Sequence, residues 1–191
     1  MIFFRLSLVT MLVVAVSAQT DTSRAALFAA IQRGAAGEVE QLLRNGVSPN
    51  LVDAEGTPAL MAAALFANSE MMDLLLKHGA DPNRPGPAGT TALMWAAPGV
   101  EKVRLLIAHG ANVNARSETE RTPLLVAAAY PGTVNLLRLL LEHGADLRAQ
   151  DRGGSTALAL AVRSADVEVV RFLVERGLDP TDHGVRDVER T

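Results

Sequence analysis

Apolar residues recur along this chain at helical spacing, in short blocks broken by turn-forming residues. Leu60-Met-Ala-Ala-Ala-Leu-Phe66 and Glu70-Met-Met-Asp-Leu-Leu-Leu-Lys77 form one such pair of blocks, closed by His78-Gly79. The spacing predicts two short helices, with glycine in the left-handed conformation that ends the second one. The same pair recurs along the chain. Leu27, Leu60, Leu93, Leu124 and Leu158 open successive first helices at intervals of 31 to 34 residues. Gly46, Gly79, Gly110, Gly144 and Gly177 close the second helices and keep step with them. The markers define five units, at about 21–53, 54–86, 87–117, 118–151 and 152–184.

The side chains within a unit explain why such units stack. Ala63-Ala64, Ala96-Ala97 and Ala127-Ala128 remove bulk where helices approach closely. Leu74-Leu75-Leu76, Leu105-Leu106-Ile107 and Leu139-Leu140-Leu141 cover an arc too wide for one-sided packing, so each second helix needs neighbours on more than one side. Thr57-Pro58 and Thr122-Pro123 read as a capping hydroxyl beside proline at a helix start. Strand alternation is missing. The expected fold is all-α, an α-solenoid of five helix-turn-helix units over residues 19–184, followed by a polar tail, 185–191. Pro98-Gly99 and Pro131-Gly132 should stop the first helices of the third and fourth units early.

These residues resemble the ankyrin repeat. Its signature combines a Thr-Pro-Leu start, a double alanine, a leucine triplet and a Gly-Ala-Asp-x-Asn turn. Here those are Thr122-Pro123-Leu124, Ala127-Ala128, Leu139-Leu140-Leu141 and Gly79-Ala80-Asp81-Pro82-Asn83. Gly110-Ala111-Asn112-Val113-Asn114 and Gly144-Ala145-Asp146-Leu147 repeat the turn, and the likeness runs over about residues 24–181. The family's usual histidine after the opening leucine is replaced by Phe28, Met61, Met94, Leu125 and Ala159, so apolar packing stands in for its polar cross-link.

The resemblance implies a non-catalytic module that binds another protein on a concave face made of turn tips and first helices. Carried over by position, the contact residues are Glu55, Leu65, Phe66, Pro87, Glu118, Arg121, Tyr130, Arg152 and Arg163. Leu65, Phe66 and Tyr130 stand out because large apolar and aromatic anchors dominate interface energetics; the competing reading packs them against the neighbouring helix. Trp95 is read as filling space left by the shortened third unit. Two other roles stay open: accessory or targeting subunit of a separately encoded exported enzyme, or the repeat fragment of a longer chain.

Composition narrows the chemistry. The chain has 191 residues, no cysteine and a formal net charge of −3. Thiolate metal sites and thiol nucleophiles are excluded, and the charge argues against a nucleic-acid partner, which would need clustered Lys and Arg. His78, His109 and His143 stand at equivalent positions, where packed helices lie ~8–10 Å apart, too far for rings to share one ion. They suit helix C-termini instead. Gly86-Pro-Ala-Gly89-Thr-Thr91 and Gly153-Gly-Ser-Thr156 lack the lysine of a phosphate-binding loop. Asp53, Asp81, Asp146, Asp151 and Asp179 recur at turns, where carboxylates close local backbone bonds. No cofactor, metal or catalytic group set is expected.

The N-terminus carries its own signal. Arg5 precedes a largely apolar run from Leu6 to Val16, and Val16-Ser17-Ala18 suits cleavage before Gln19. Residues 1–18 are read as an export signal, too short for a membrane span of ~20 residues, with an uncleaved anchor as the alternative. The expected destination is the bacterial periplasm, or the exterior, with no membrane attachment after cleavage. The final helix, Val167–Val174, is strongly apolar for an end unit and should fray or pair with something.

Overall fold

The computed structural model of the chain describes residues 21–97 and 99–179. The expected signal at 1–18, the polar tail at 185–191 and Pro98 lie outside these described residues. Helices account for the regular structure: α1 (residues 21–32), α2 (Ala36–Arg44), α3 (Ala59–Phe66), α4 (Ser69–Lys77), α5 (Ala92–Trp95), α6 (Val100–Ala108), α7 (Pro123–Ala128), α8 (Val134–Glu142), α9 (Ala157–Arg163) and α10 (Val167–Glu175). Among the described residues β-pairing is limited to two isolated bridges, Val52 with Pro58 and Gln150 with Thr156. From α2 on, no helix exceeds nine residues. Peptides of that length are marginal in water, so the helices persist because they pack.

Contacts divide the chain into two compact units, one ending at Ala80 and the other beginning at Asp81. In the first, α4 packs against both α2 and α3. Leu27, Ile31, Val39, Met72 and Leu75 are wholly buried there. In the second, α5, α7 and α9 form one row, α5 against α7 and α7 against α9. A second row, α6, α8 and α10, packs in the same sequence, and each helix of one row also packs on its chain neighbour in the other. The leucine triplets behave as their width requires. Leu106 and Leu140 are sealed while Leu105, Ile107 and Leu141 are half-buried against flanking helices.

The closing glycines have a definite geometry. Gly144 has φ +84°, its N–H donates to Leu141 O, and Ala145 N–H donates to Leu140 O, both at 3.0 Å. This paired closure is the Schellman motif, and any side chain at Gly144 would be strained in that conformation. His78, His109 and His143 are the C-cap residues of α4, α6 and α8, as expected for rings near helix carbonyls. Helix starts are less uniform. The Thr122 and Thr156 hydroxyls accept from Leu125 and Ala159 N–H at 3.3 and 3.2 Å. Thr57 is not a cap: Thr57-Pro58 sits one residue earlier relative to the opening leucine, so Pro58 occupies the cap position without a side-chain bond. The first helices of the third and fourth repeats are short as expected, α5 spanning four residues and α7 six, against eight for α3.

Candidate partner-binding face

The turns before α3, α7 and α9 are held by side-chain oxygens. Asp53 Oδ1 accepts from Glu55 and Thr57 N–H at 3.1 and 2.7 Å, and Asp151 Oδ1 from Gly153 and Ser155 N–H at 2.9 and 2.8 Å. Ser117 takes this place in the fourth repeat, its hydroxyl receiving Arg121 N–H at 3.2 Å. Within the second unit successive turns are tied to one another. Glu118 N–H donates to Ala88 O at 2.9 Å and Arg152 N–H to Thr119 O at 2.8 Å. Pro87, Glu118, Arg121 and Arg152 thus project from one hydrogen-bonded row of turns, and all four are exposed.

The first helices present large side chains beside this row. Tyr130 follows α7 and is 47% exposed, and its carbonyl is fixed by the buried Thr133 hydroxyl at 2.9 Å. Arg163 at the end of α9 is exposed, as are Val162 beside it and Trp95 on α5. The expectation that Trp95 fills core space is corrected here. It is 41% exposed, its indole N–H donates to Thr90 Oγ1 at 2.9 Å, and Thr90 Oγ1 donates to Pro87 O at 2.8 Å. The ring therefore braces the Pro87 turn. In the first unit Glu55 is exposed on its turn, and Leu65 and Phe66 end α3 at 47% and 57% exposure. The reading that would bury Leu65, Phe66 and Tyr130 against a neighbouring helix does not hold.

Of the expected contacts, Arg121 and Arg163 are brought together. They line a groove of about 240 Å³ with Ala129, Leu160 and Ser164. Arg121 is also 3.7 Å from Asp151 Oδ2. Burial pushes the Asp151 carboxyl up, but bonds from Ser155 and Gly153, with the Arg121 charge, outweigh it and hold it below the ordinary carboxylate value. A second groove, in the first unit, is lined by Arg33 and Glu38, whose charges are already paired at 2.6 Å. Among the described residues no three His, Asp or Glu side chains gather where they could hold a metal ion.

The asparagines of the Gly-Ala-Asp-x-Asn turns carry a role beyond the turn, since they bond to the following repeat. Asn83 Nδ2 donates to Gly110 O at 2.9 Å while its Oδ1 accepts from Asn112 N–H at 2.7 Å. Asn114 repeats both bonds one unit on, to Gly144 O and Asp146 N–H at 2.8 Å each. Asn50 donates likewise to Gly79 O at 2.9 Å. At the next equivalent position stands Arg148, and the residue thirty-odd places on, Gly177, receives no such bond. The signal in the sequence was the recurrence of Asn four residues after the closing glycine.

A profile of the ankyrin-repeat family, spanning three copies of the repeat, matches residues 4–86, 27–117, 84–151 and 99–183. The chain belongs to the ankyrin repeat family. No curated protein matches the sequence. Ankyrin repeats generally mediate binding to other proteins and are typically non-catalytic. The repeat is a scaffold, and what it binds is decided by its exposed side chains.

Proposed function

We propose that this ankyrin repeat protein is an exported, non-catalytic binding module whose protein partner seats on the concave face formed by its turn tips and first helices. The contacts are Glu55, Leu65, Phe66, Pro87, Glu118, Arg121, Tyr130, Arg152 and Arg163. The observation that carries this reading is the exposure of Phe66, with Leu65 beside it, and of Tyr130 at the ends of first helices whose Leu60, Leu124 and Leu125 are buried. Fully covering either ring would contribute roughly 1.5–3 kcal/mol, enough to make it an energetic centre of an interface. Trp95, braced by Thr90, adds a third ring that is already oriented. Export rests on Arg5, the apolar run to Val16 and the small residues before Gln19, and the destination is the periplasm or beyond.

Crosslinked capture from the envelope fraction of the host tests the binding reading. The wild-type chain should retain one dominant protein that a Phe66→Ala/Tyr130→Ala variant loses. Equal capture by both would contradict it. N-terminal sequencing of the chain recovered from that fraction should begin at Gln19, and an intact Met1 there would overturn cleavage.

A further inference from the structure

The groove between α7 and α9 has a chemistry of its own. Its floor is apolar, from Ala129 and Leu160, and its rim carries Arg121, Arg163 and the Ser164 end of α9. Among the described residues the Arg163 guanidinium has no ion-pair or hydrogen-bond partner, although it stands exposed at the rim. Arg121 shares its charge with Asp151, 3.7 Å away. The groove therefore offers about one unbalanced positive charge. That suits a single carboxylate and disfavours a dianion, which would also face Asp151. At about 240 Å³ it lies below the ~300–1,000 Å³ usual for small-molecule sites, so it admits a side chain or two of a larger partner.

We propose that this groove receives an acidic segment of the bound protein, one Asp or Glu carboxylate meeting Arg163 and Arg121 while an adjacent aliphatic side chain lies over Ala129 and Leu160. The inference rests on the reading that the first-helix face binds protein, and it names the chemistry of what binds there. A guanidinium fork matches a carboxylate in two parallel hydrogen bonds. Nucleic acid is the weaker fit, because the acidic Glu118 and Asp151 lie in the same row of turns and the chain is net negative.

The test titrates the full chain with end-blocked hexapeptides Gly-Ser-Leu-Glu-Ser-Gly and Gly-Ser-Leu-Gln-Ser-Gly at low ionic strength, following arginine Nε–H signals by NMR. The glutamate peptide should move the Arg163 and Arg121 signals and bind at least about fivefold more tightly than the glutamine peptide. Arg163→Gln should remove that preference, and Ala129→Glu, which places a carboxylate in the groove, should weaken the glutamate peptide while both variants melt as wild type. Equal affinities, no binding of either peptide, or tighter binding of an oligothymidine than of the glutamate peptide would overturn the proposal. The capture experiment separates this from the broader reading. If Arg163→Gln and Ala129→Glu keep a partner that Phe66→Ala/Tyr130→Ala loses, the groove proposal falls and the face stands; if all variants keep it, both fall.

Discussion

At Asn114 a single carboxamide satisfies two backbone groups of the following repeat, Gly144 O and Asp146 N–H. Removing it leaves both to find water at an exposed edge, so Asn114→Ala should cost about 1–3 kcal/mol in urea denaturation, against little change for Arg148→Ala. Equal effects would mean that the amide is not a clamp. Asp166 is a second small device. Its Oδ2 accepts Gly132 N–H at 2.6 Å, and its Oδ1 accepts Val169 and Glu168 N–H at the start of α10. The bond from Gly132 first, then those from Val169 and Glu168, hold the carboxyl below its ordinary value. A depressed folded-state pKa stabilises the protein above the unfolded value of about 3.8 and is lost as pH falls through the folded one. Asp166→Asn should thus be less stable than wild type at neutral pH, and the gap should close as the medium is acidified. A gap of constant size from pH 7 to pH 3 would contradict this. The Asn114 bonds and the bond from Gly132 to Asp166 were not legible in the sequence, because each joins residues 30 to 34 positions apart that meet only after the repeats stack, whereas the Asp166 bonds from Glu168 and Val169 are a local helix cap. Trp95 was misread for a related reason: its partner, Thr90, lies in a turn whose shape the sequence does not announce.

The helices themselves were far more legible. Alanine pairs, leucine triplets and closing glycines are local, and each acts through packing or backbone geometry that any stacked repeat imposes. Hence α2 to α10 appear where the spacing puts them, with the early stops at Trp95 and Ala128. What the spacing could not fix was the register of Thr57-Pro58, since one shifted residue moves proline into the cap position. The packing assignment has a direct test. Leu106 is fully buried in α6, whereas Arg163 is exposed at the end of α9. Leu106→Ala should cost on the order of 2–5 kcal/mol, and Arg163→Ala should lie within about 0.5 kcal/mol of wild type. Similar losses from the two would mean that inside and outside are misassigned.

Across the molecule, stability in a repeat protein approximates a sum of unit and neighbour terms. The fifth repeat is short of neighbour terms. Arg148 supplies no asparagine clamp to it, and Val162, Val167 and Val174 are 60%, 66% and 37% exposed. Against this stand the Asp166 bond to Gly132 and Phe172, whose ring lies 5.2 Å from Arg138 Cζ and 4.8 Å from Arg176 Cζ. Such exposed cation–π contacts contribute roughly 0.5–1 kcal/mol each. Amides of α9 and α10 should therefore exchange through openings of lower free energy than those of α8, and protection equal to that of α8 across residues 158–175 would refute the expected fraying. The binding face was legible only in outline. The nine residues proposed as contacts from sequence position are all exposed, while the groove pairing Arg121 with Arg163 needed α7 beside α9. The most direct test of that face is site-resolved photocrosslinking, with a benzophenone side chain at position 66, 130 or 163 and, for comparison, at the exposed outer-row positions 104 and 142. The first-helix positions should give one shared protein adduct and the outer row none; the same adduct from 104 and 142 alone would place the partner on the other side of the helices.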